Sequence, residues 1–400
     1  MMMSTDRLYY TDSYLTRFAA IVVAHGSIGD QPAVALDRSA FYPEGGGQPA
    51  DHGTLNGLTI TDVQVDAAGV VWHGLADPAQ PAQLPAGTAV EGVVDWARRF
   101  DHMQQHCGQH ILTAAFVEVA GLATTAFHLS PGSVTIDLAA AELNAEQAQA
   151  AELRANAIIW ANAPVTARFV APEELATIRL RKPPSVSGAV RVVSVGEFDH
   201  SACGGTHPRA TGEVGPIVIL GWSRQRGGVR VNFACGRRAL ERLQAIRAAA
   251  TQAAGALSVG IDELPAAVER LRATHTALNR EVEQLRDEQL RHLASDLVRG
   301  ATNGIVNAQL PGETPERLRR LAHLALTAGA QVALLGTATA RAHLVVACTP
   351  DSGHDAAAIL RTGLPAVEGR GGGNAALAQG GGPNSAGLTA ALAAMAGMLP

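Results

Sequence analysis

Three histidines, His102, His106 and His110, recur at intervals of four in the run His102-Met-Gln-Gln-His106-Cys-Gly-Gln-His110. Residues four apart on a helix project from one face, so two neighbouring imidazoles can hold one metal ion. Each step of four drifts about 40° around a helix of ~3.6 residues per turn, which sets His102 and His110 about 80° apart. One ion therefore takes a neighbouring pair, and spacing leaves His102/His106 and His106/His110 equally open. With 14 histidines in 400 residues, one such pair arises by chance in roughly every second chain of this kind, so the pair alone is a weak signal. The second half is Cys203-Gly-Gly-Thr-His207. A soft thiolate and an imidazole on a glycine-rich turn complete a tetrahedral donor set of the kind that zinc takes. The glycines allow the loop to double back so that both side chains reach one point. Cys107, not Glu, follows His106, so the helix carries no built-in general base of the H-E-x-x-H type. Turned about 100° from His106, Cys107 reads as a packed helix residue rather than a ligand.

These side chains need a scaffold, and its outline is legible. Residues from about 7 to 95 alternate apolar and polar in short runs broken by Gly, Pro and Asp, among them Ile21-Val22-Val23-Ala24 and Val70-Val71-Trp72. That spacing predicts a small β-barrel-like N-terminal domain, 1–95. Inside it, Phe41-Tyr-Pro-Glu-Gly-Gly-Gly-Gln-Pro49 cannot be a strand interior and reads as a flexible hairpin loop or a place of close backbone approach. The spacing then predicts a helix from Asp101 as N-cap to about Gly121, strands at Ser133–Leu138, Val165–Val170, Arg191–Val195 and Ile217–Leu220, and a helix over Asn144–Asn162. This is an α+β domain, 96–236. A helical connector follows, 237–300, in which Leu264, Val268, Leu271, Leu278, Val282 and Leu285 form a heptad seam with His275 in it. A two-helix hairpin and a short dimerising coiled coil fit that seam equally. Residues 301–400 read as a small α/β domain, with buried strands at Val332–Leu335 and Leu344–Cys348 and two glycine clusters, Gly369-Arg-Gly-Gly-Gly373 and Gly380-Gly-Gly382.

Composition sets the class. Hydrophobic residues make up 47% and charged ones 17%, a globular balance. The net charge of -5 gives no global basic signature, so any nucleic-acid contact must rest on local Arg/Lys patches. Four cysteines in 400 residues make no disulfide framework. No apolar run is long enough to cross a bilayer, and Met1–Tyr10 lacks the pattern of a signal peptide. A reducing cytoplasm is the expected compartment.

Taken together, H-x-x-x-H followed about a hundred residues later by C-G-G-T-H resembles the editing domain of alanyl-tRNA synthetases and of their freestanding AlaX relatives. Phe41-Tyr-Pro-Glu-Gly-Gly-Gly-Gln-Pro-Ala-Asp-His-Gly53 and Asp95-Trp-Ala-Arg-Arg-Phe-Asp-His-Met-Gln-Gln-His106 resemble motifs of the longer AlaX proteins. The C-terminal glycine clusters are similar to the C-terminal domain that alanyl-tRNA synthetases share with DHH-type phosphoesterases. The resemblance implies His106, His110, Cys203 and His207 as ligands of one zinc ion and leaves His102 outside. It implies hydrolysis of a wrong amino acid, Ser first and Gly second, from the acceptor end of tRNA(Ala). The heptad stretch favours a homodimer through the helical and C-terminal region, although an intrachain hairpin would use the same pattern. Cys107 stands where the family usually has Thr, so Cys107, Gln109 and His128 are candidate pocket residues. Gly45, Gly46, Gly47 and Gln48 are expected near the tRNA end or between the first two domains. Arg98, Arg99 and Arg209, with Arg181, Lys182, Arg224, Arg226 and Arg230, are the candidate tRNA-facing charges. Full aminoacylation would need an ATP-binding domain ahead of a first motif that begins at Phe41. The competing reading is a non-catalytic tRNA-binding or dimeric scaffold with a structural zinc.

Overall fold

The alternating runs between Arg17 and Val94 fold as six strands: β1 (Arg17–Ile28), β2 (Gln31–Leu36), β3 (Gly53–Leu55), β4 (Leu58–Val65), β5 (Val71–Leu75) and β6 (Ala89–Val94). They close into a barrel in the order β1-β2-β5-β4-β3-β6, which leaves no unpaired edge. Along β1, Phe18, Ala20 and Val22 point inward while the residues between them face out. Phe18, Val22, Val34, Leu36, Phe41, Leu55, Ile60 and Val71 fill the interior. The β3–β4 hairpin turns on Asn56-Gly57, with φ of 47° and 82°, the left-handed pair that a two-residue hairpin loop requires. The computed structural model describes residues 4–77, 79–184 and 188–400, so the first three residues of the Met1–Tyr10 stretch lie outside it.

The glycine-rich segment is a tight, hydrogen-bonded turn rather than a flexible loop. The Gly45 and Gln48 backbones exchange N–H to C=O bonds of 3.1 and 2.9 Å, with Gly46 at φ 58° and Gly47 at φ 82°. A Cβ on Gly47 would come within 2.9 Å of the Phe127 ring.

Helix α1 spans Trp96–Ala120 and begins a turn and a half before the expected Asp101, because the Asp95 carboxylate caps the Arg98 N–H. Asp101 lies within the helix and pairs with Arg238. Every residue from His102 to Phe116 is buried, since the barrel loops cover one side of α1 and a sheet covers the other. That sheet has the order β12-β13-β8-β7, where β7 is Thr124–Leu129, β8 Val134–Leu138, β12 Ile217–Gln225 and β13 Gly228–Cys235. Helix α2 (Ala145–Trp160), opened by an Asn144/Gln147 capping box, packs on the same core. A second sheet contains β9 (Val165–Val170), β10 (Val190–Val195) and β11 (Asp199–Ala202), in that order.

Arg99, a candidate for RNA contact, is fully buried instead. Its Nε donates to both oxygens of Asp51, at 2.9 and 3.1 Å, and its Nη1 to the Ser13 carbonyl at 2.8 Å. Both partners of the pair have 0% side-chain exposure. An RNA phosphate cannot reach this guanidinium; it ties α1 to the barrel.

The chain divides into two compact units, Met1–Ala253 and Ala254–Pro400. Helix α3 is Gly236–Ala256. In the second unit α4 (Leu264–Arg299) precedes β14 (Ile305–Gln309), α5 (Pro315–Thr327), β15 (Val332–Ala338), β16 (Ala342–Cys348), α6 (Ala356–Gly363), β17 (Arg370–Gly373), β18 (Leu377–Gly382) and α7 (Leu388–Ala396). The sheet order is β14-β15-β16-β18-β17. One face takes α5 and the end of α4 around Leu290 and Leu321; the other takes α6 and α7 around Leu360 and Leu392. The two C-terminal glycine clusters lie on β17 and β18 respectively, and a Cβ on Gly382 would sit 1.8 Å from the Val367 carbonyl. Within the second unit the heptad seam of α4 is exposed at Val268, Leu271, Leu278, Val282 and Leu285. Among the described residues no helix is long and apolar enough to cross a membrane.

Two stability outcomes follow. Asp51→Ala strands a buried guanidinium and should cost about 3–5 kcal/mol, read from the denaturant unfolding midpoint. Inside the barrel, His73 bonds Ser39 and the Val34 carbonyl, and burial pushes its imidazole down from 6.5 to about 4. The unfolded chain then binds the extra proton between those values, so stability is full above pH 6.5 and falls by about 3 kcal/mol as pH drops to about 4. His73→Gln should flatten that part of the pH profile.

Candidate metal centre

Two imidazoles of α1 meet a loop that follows β11. The ligand atoms of His106, His110, Cys203 and His207 all lie within 4.8 Å of one another. The Cys203 Sγ is 3.3 Å from His106 Nε2 and 3.4 Å from His207 Nε2. A tetrahedral ion with bonds of ~2.0–2.3 Å separates its donors by about 3.3–3.6 Å, so the spacing and the donor chemistry both fit one metal ion. His102 is buried elsewhere, its Nδ1 without a partner, and burial with nearby Arg98 and Arg238 pushes it down to about 3. The helix therefore offers the His106/His110 pair.

The second nitrogen of two ligands is answered from outside the set. Gln48 Oε1 accepts from His106 Nδ1 at 2.8 Å and from the Thr206 N–H at 3.2 Å, while Gln48 Nε2 donates to Thr206 Oγ1 at 2.8 Å. Asp199 Oδ2 accepts from His110 Nδ1 at 3.2 Å and is itself held by Arg181 and Ser201. These bonds leave the Nε2 atoms of both histidines for a metal, an outer layer that metal-binding imidazoles usually require. Arg191 Nη1 donates to the carbonyls of Cys203 and Gly205 at 2.9 and 2.8 Å, shaping the loop. A Cβ on Gly205 would meet the His106 ring at 2.3 Å, so glycine is required there by close approach.

Electrostatics poise the donors. Burial pushes the Cys203 thiol up, but the neighbouring His106 and His207 imidazoles outweigh it and hold the thiol well below its ordinary range. Burial takes His207 down to about 3. For His110 burial is outweighed by Asp199 and the Cys203 sulfur, which raise it to about 9.

A cavity of about 320 Å³ opens beside His106, His110 and Cys203. Gln109 and Thr124 line it with Gly46, Arg181 and Lys182. Gln109 Nε2 donates to Thr113 Oγ1 at 2.9 Å, and Thr113 and Thr124 hydroxyls bond at 2.9 Å. This polar wall can receive a small hydroxyl group.

Several candidates lie elsewhere. Cys107 belongs to the apolar core, and burial drives its thiol upward; it points away from the cavity because it sits a third of a turn from His106. His128 faces outward on β7, 56% exposed, against Asp137 and Arg230, so strand alternation removes it from the pocket. Arg98 Nε donates to the Ala50 carbonyl. Arg209 stacks on Tyr14 at 4.1 Å and pairs with Asp12, and Arg230 pairs with Asp137. None of these three, nor Arg224 or Arg226, lines the cavity. Gly45 and Gly47 shape the turn that delivers Gln48, which is 0% exposed and meets the metal loop rather than solvent. Asp199, Arg191 and Thr206 were missed. The period of two along β11 could have found Asp199, since Asp199 and Ser201 share a buried face leading into Cys203.

Gln48→Ala should lower metal affinity about 10–100-fold, measured by chelator competition, with the fold retained by circular dichroism.

A family model described as the threonyl and alanyl tRNA synthetase second additional domain matches residues 190–232, which hold Cys203 and His207. Another, tRNA synthetases class II (A), matches residues 6–98. The alanyl-tRNA editing protein AlaX-L of Pyrococcus horikoshii is 34% identical over 295 residues, 71% of this chain and 71% of that protein. Alanine–tRNA ligase of Pyrococcus abyssi is 36% identical over 304 residues, 73% of this chain but 32% of the ligase. That of Methanothrix thermoacetophila is 34% identical over 413 residues, 97% of this chain and 44% of the ligase. The chain thus spans less than half the length of these two ligases. At that identity and coverage of AlaX-L, the chain belongs to the family of long-form alanyl-tRNA editing proteins.

Proposed function

We propose that this protein hydrolyses the ester joining a wrong amino acid to the acceptor end of tRNA(Ala), with Ser-tRNA(Ala) as the preferred substrate and Gly-tRNA(Ala) as the second. The observation that carries the reading is the convergence of His106, His110, Cys203 and His207 beside a small cavity with a hydroxyl-bonding wall. In this reading residues 1–95 deliver Gln48, 96–236 form the editing domain, 237–300 the connector and 301–400 the C-terminal domain.

Zinc held by His106, His110, Cys203 and His207 would supply a fixed positive centre beside the cavity. The protein's own groups carry the selectivity. An aminoacyl ester is already activated, and positioning contributes much of the rate. The Gln109–Thr113–Thr124 network offers a partner to the seryl hydroxyl. A pocket with such a group leaves it unpaired when alanine binds, which is how a polar site rejects the analogue lacking a hydroxyl. Lys182 at the cavity supplies positive charge for the terminal phosphates of the RNA, while Arg181 is committed to Asp199. The closed ligand set also suits a structural metal in a non-catalytic tRNA-binding scaffold. That second reading differs in one outcome, binding without hydrolysis.

The test is incubation with Ser-tRNA(Ala), Gly-tRNA(Ala) and Ala-tRNA(Ala), with metal content measured alongside. Hydrolysis of the Ser ester with Ala-tRNA(Ala) spared is expected, and Thr124→Val should narrow that difference. Cys203→Ala should lose the metal and at least ~100-fold of the rate. A folded, metal-free Cys203→Ala protein at full rate overturns the role of the metal centre, and tRNA bound without release of amino acid favours the scaffold.

A further inference from the structure

Residues 5–14 run from the barrel to the outside of the loop that carries Cys203 and His207. Thr5 Oγ1 donates to the Leu36 carbonyl and accepts from the Val71 N–H, both at 3.0 Å, and Asp6–Arg7 pairs with Arg38–Ser39. The segment is pinned again at Ser13, whose carbonyl accepts from the buried Arg99. Beside these anchors two half-buried tyrosines, Tyr10 and Tyr14, meet the two ends of the loop. We propose that both are positioning residues of the metal centre. Tyr10 holds the Arg191 guanidinium against the Cys203 end, and Tyr14 fixes the Arg209 end, so that Cys203 and His207 arrive at the spacing that one ion needs. The proposal rests on the metal centre of the reading above and not on its substrate.

At the Cys203 end the ring face does the holding. Arg191 gives Nη1 to the Cys203 and Gly205 carbonyls and, among the described residues, pairs with no carboxylate. Its Nε is buried without a partner. A buried cation without a counter-ion is unfavourable. The Tyr10 ring, 5.1 Å from the guanidinium carbon, supplies the negative face that such a cation seeks. That ring is itself fixed: Arg7 Nη1 donates to its hydroxyl at 3.2 Å, and Tyr9 and Phe169 meet it edge-on at 4.7 and 5.6 Å. A Cβ on Gly204 would lie 3.6 Å from the Tyr10 hydroxyl, so the tyrosine also abuts the loop backbone. A carboxylate in its place would set a second anion near the Cys203 sulfur; a ring face holds the guanidinium without that repulsion.

At the other end the hydroxyl does the holding. The Tyr14 O–H donates to Glu213, and its oxygen accepts from the Arg209 backbone N–H at 3.1 Å. The Arg209 guanidinium covers the same ring at 4.1 Å. Arg209 follows His207 by two positions, and the Pro208 between them has a restricted φ, so a bond to the Arg209 backbone fixes the course of the chain at His207. That matters because His207 Nδ1 has no partner of its own, and its ring goes where the backbone puts it.

The test uses the full chain and reads metal rather than hydrolysis: zinc affinity by chelator competition, and the absorption bands of the cobalt(II)-substituted protein, which report donor geometry. Tyr10→Leu should weaken zinc about 10-fold and alter the cobalt bands, whereas Tyr10→Phe, which keeps the ring face, should retain both. Tyr14→Phe keeps its stack and loses only the oxygen, and should weaken zinc about 10-fold. Arg191→Lys should behave as Tyr10→Leu does, and the double substitution should be no worse than Arg191→Lys alone, because both act through one contact. Should Tyr10→Leu fail to fold, the contrast between Tyr10→Phe and Tyr14→Phe decides. Unchanged zinc affinity and cobalt bands in Tyr10→Leu and Tyr14→Phe overturn the proposal, and equal losses in Tyr10→Phe and Tyr10→Leu overturn the role of the ring face. A parent chain that binds no metal overturns the metal centre itself.

Discussion

Bringing three imidazoles and a thiolate together in a buried space is costly unless every remaining polar atom of the set is answered. Much of the first unit is arranged around that requirement. The Gln48 amide satisfies His106 and the Thr206 backbone together, and the Asp199 carboxylate satisfies His110. Each oriented ring nitrogen then faces the Cys203 sulfur rather than a competing protein donor. His207 Nδ1 is left without a partner, so its ring is placed by packing and by the loop that Arg191 shapes.

The second constraint is how the barrel reaches that centre. Gln48 comes from the barrel domain and His106 from α1, so their bond holds only if the two stay in register. The buried Arg99–Asp51 pair, backed by the Ser13 carbonyl, provides that fixed joint. Buried charge pairs add little net stability over apolar packing, but their hydrogen-bond geometry tolerates little sliding. A specific joint at Arg99 thus keeps the Gly45–Gln48 turn aimed at the metal loop.

The cavity inherits its chemistry from the same elements. One wall is the His106/His110/Cys203 cluster and another holds Gln109 and Thr124, both bonded to the buried Thr113 that joins α1 to β7. Helix spacing puts Gln109 next to His110 yet turns Cys107 into the core. Two residues that are near neighbours in the motif therefore serve a pocket and a hydrophobic core respectively.

Element types and the pool of candidate donors were largely legible in order and spacing, because periodicity and side-chain chemistry are local properties; only the family resemblance singled out His106 and His110 from the three histidines. H-x-x-x-H needs only a helix, and C-G-G-T-H needs only a turn that admits glycine. Long-range pairing was not legible. Arg99 reads as a surface cation until Asp51, 48 positions away, is seen opposite it, and nothing local marks Gln48 as the partner of His106. The helix start moved from Asp101 to Asp95 because capping depends on where the barrel delivers the chain. Sequence by itself determined which atoms could bind a metal and which helix would be amphipathic along α4. Only the tertiary structure decided which side chains answer the two histidines, which charges are buried and which part of the α4 seam is exposed, because burial and partner choice depend on three-dimensional proximity between distant segments.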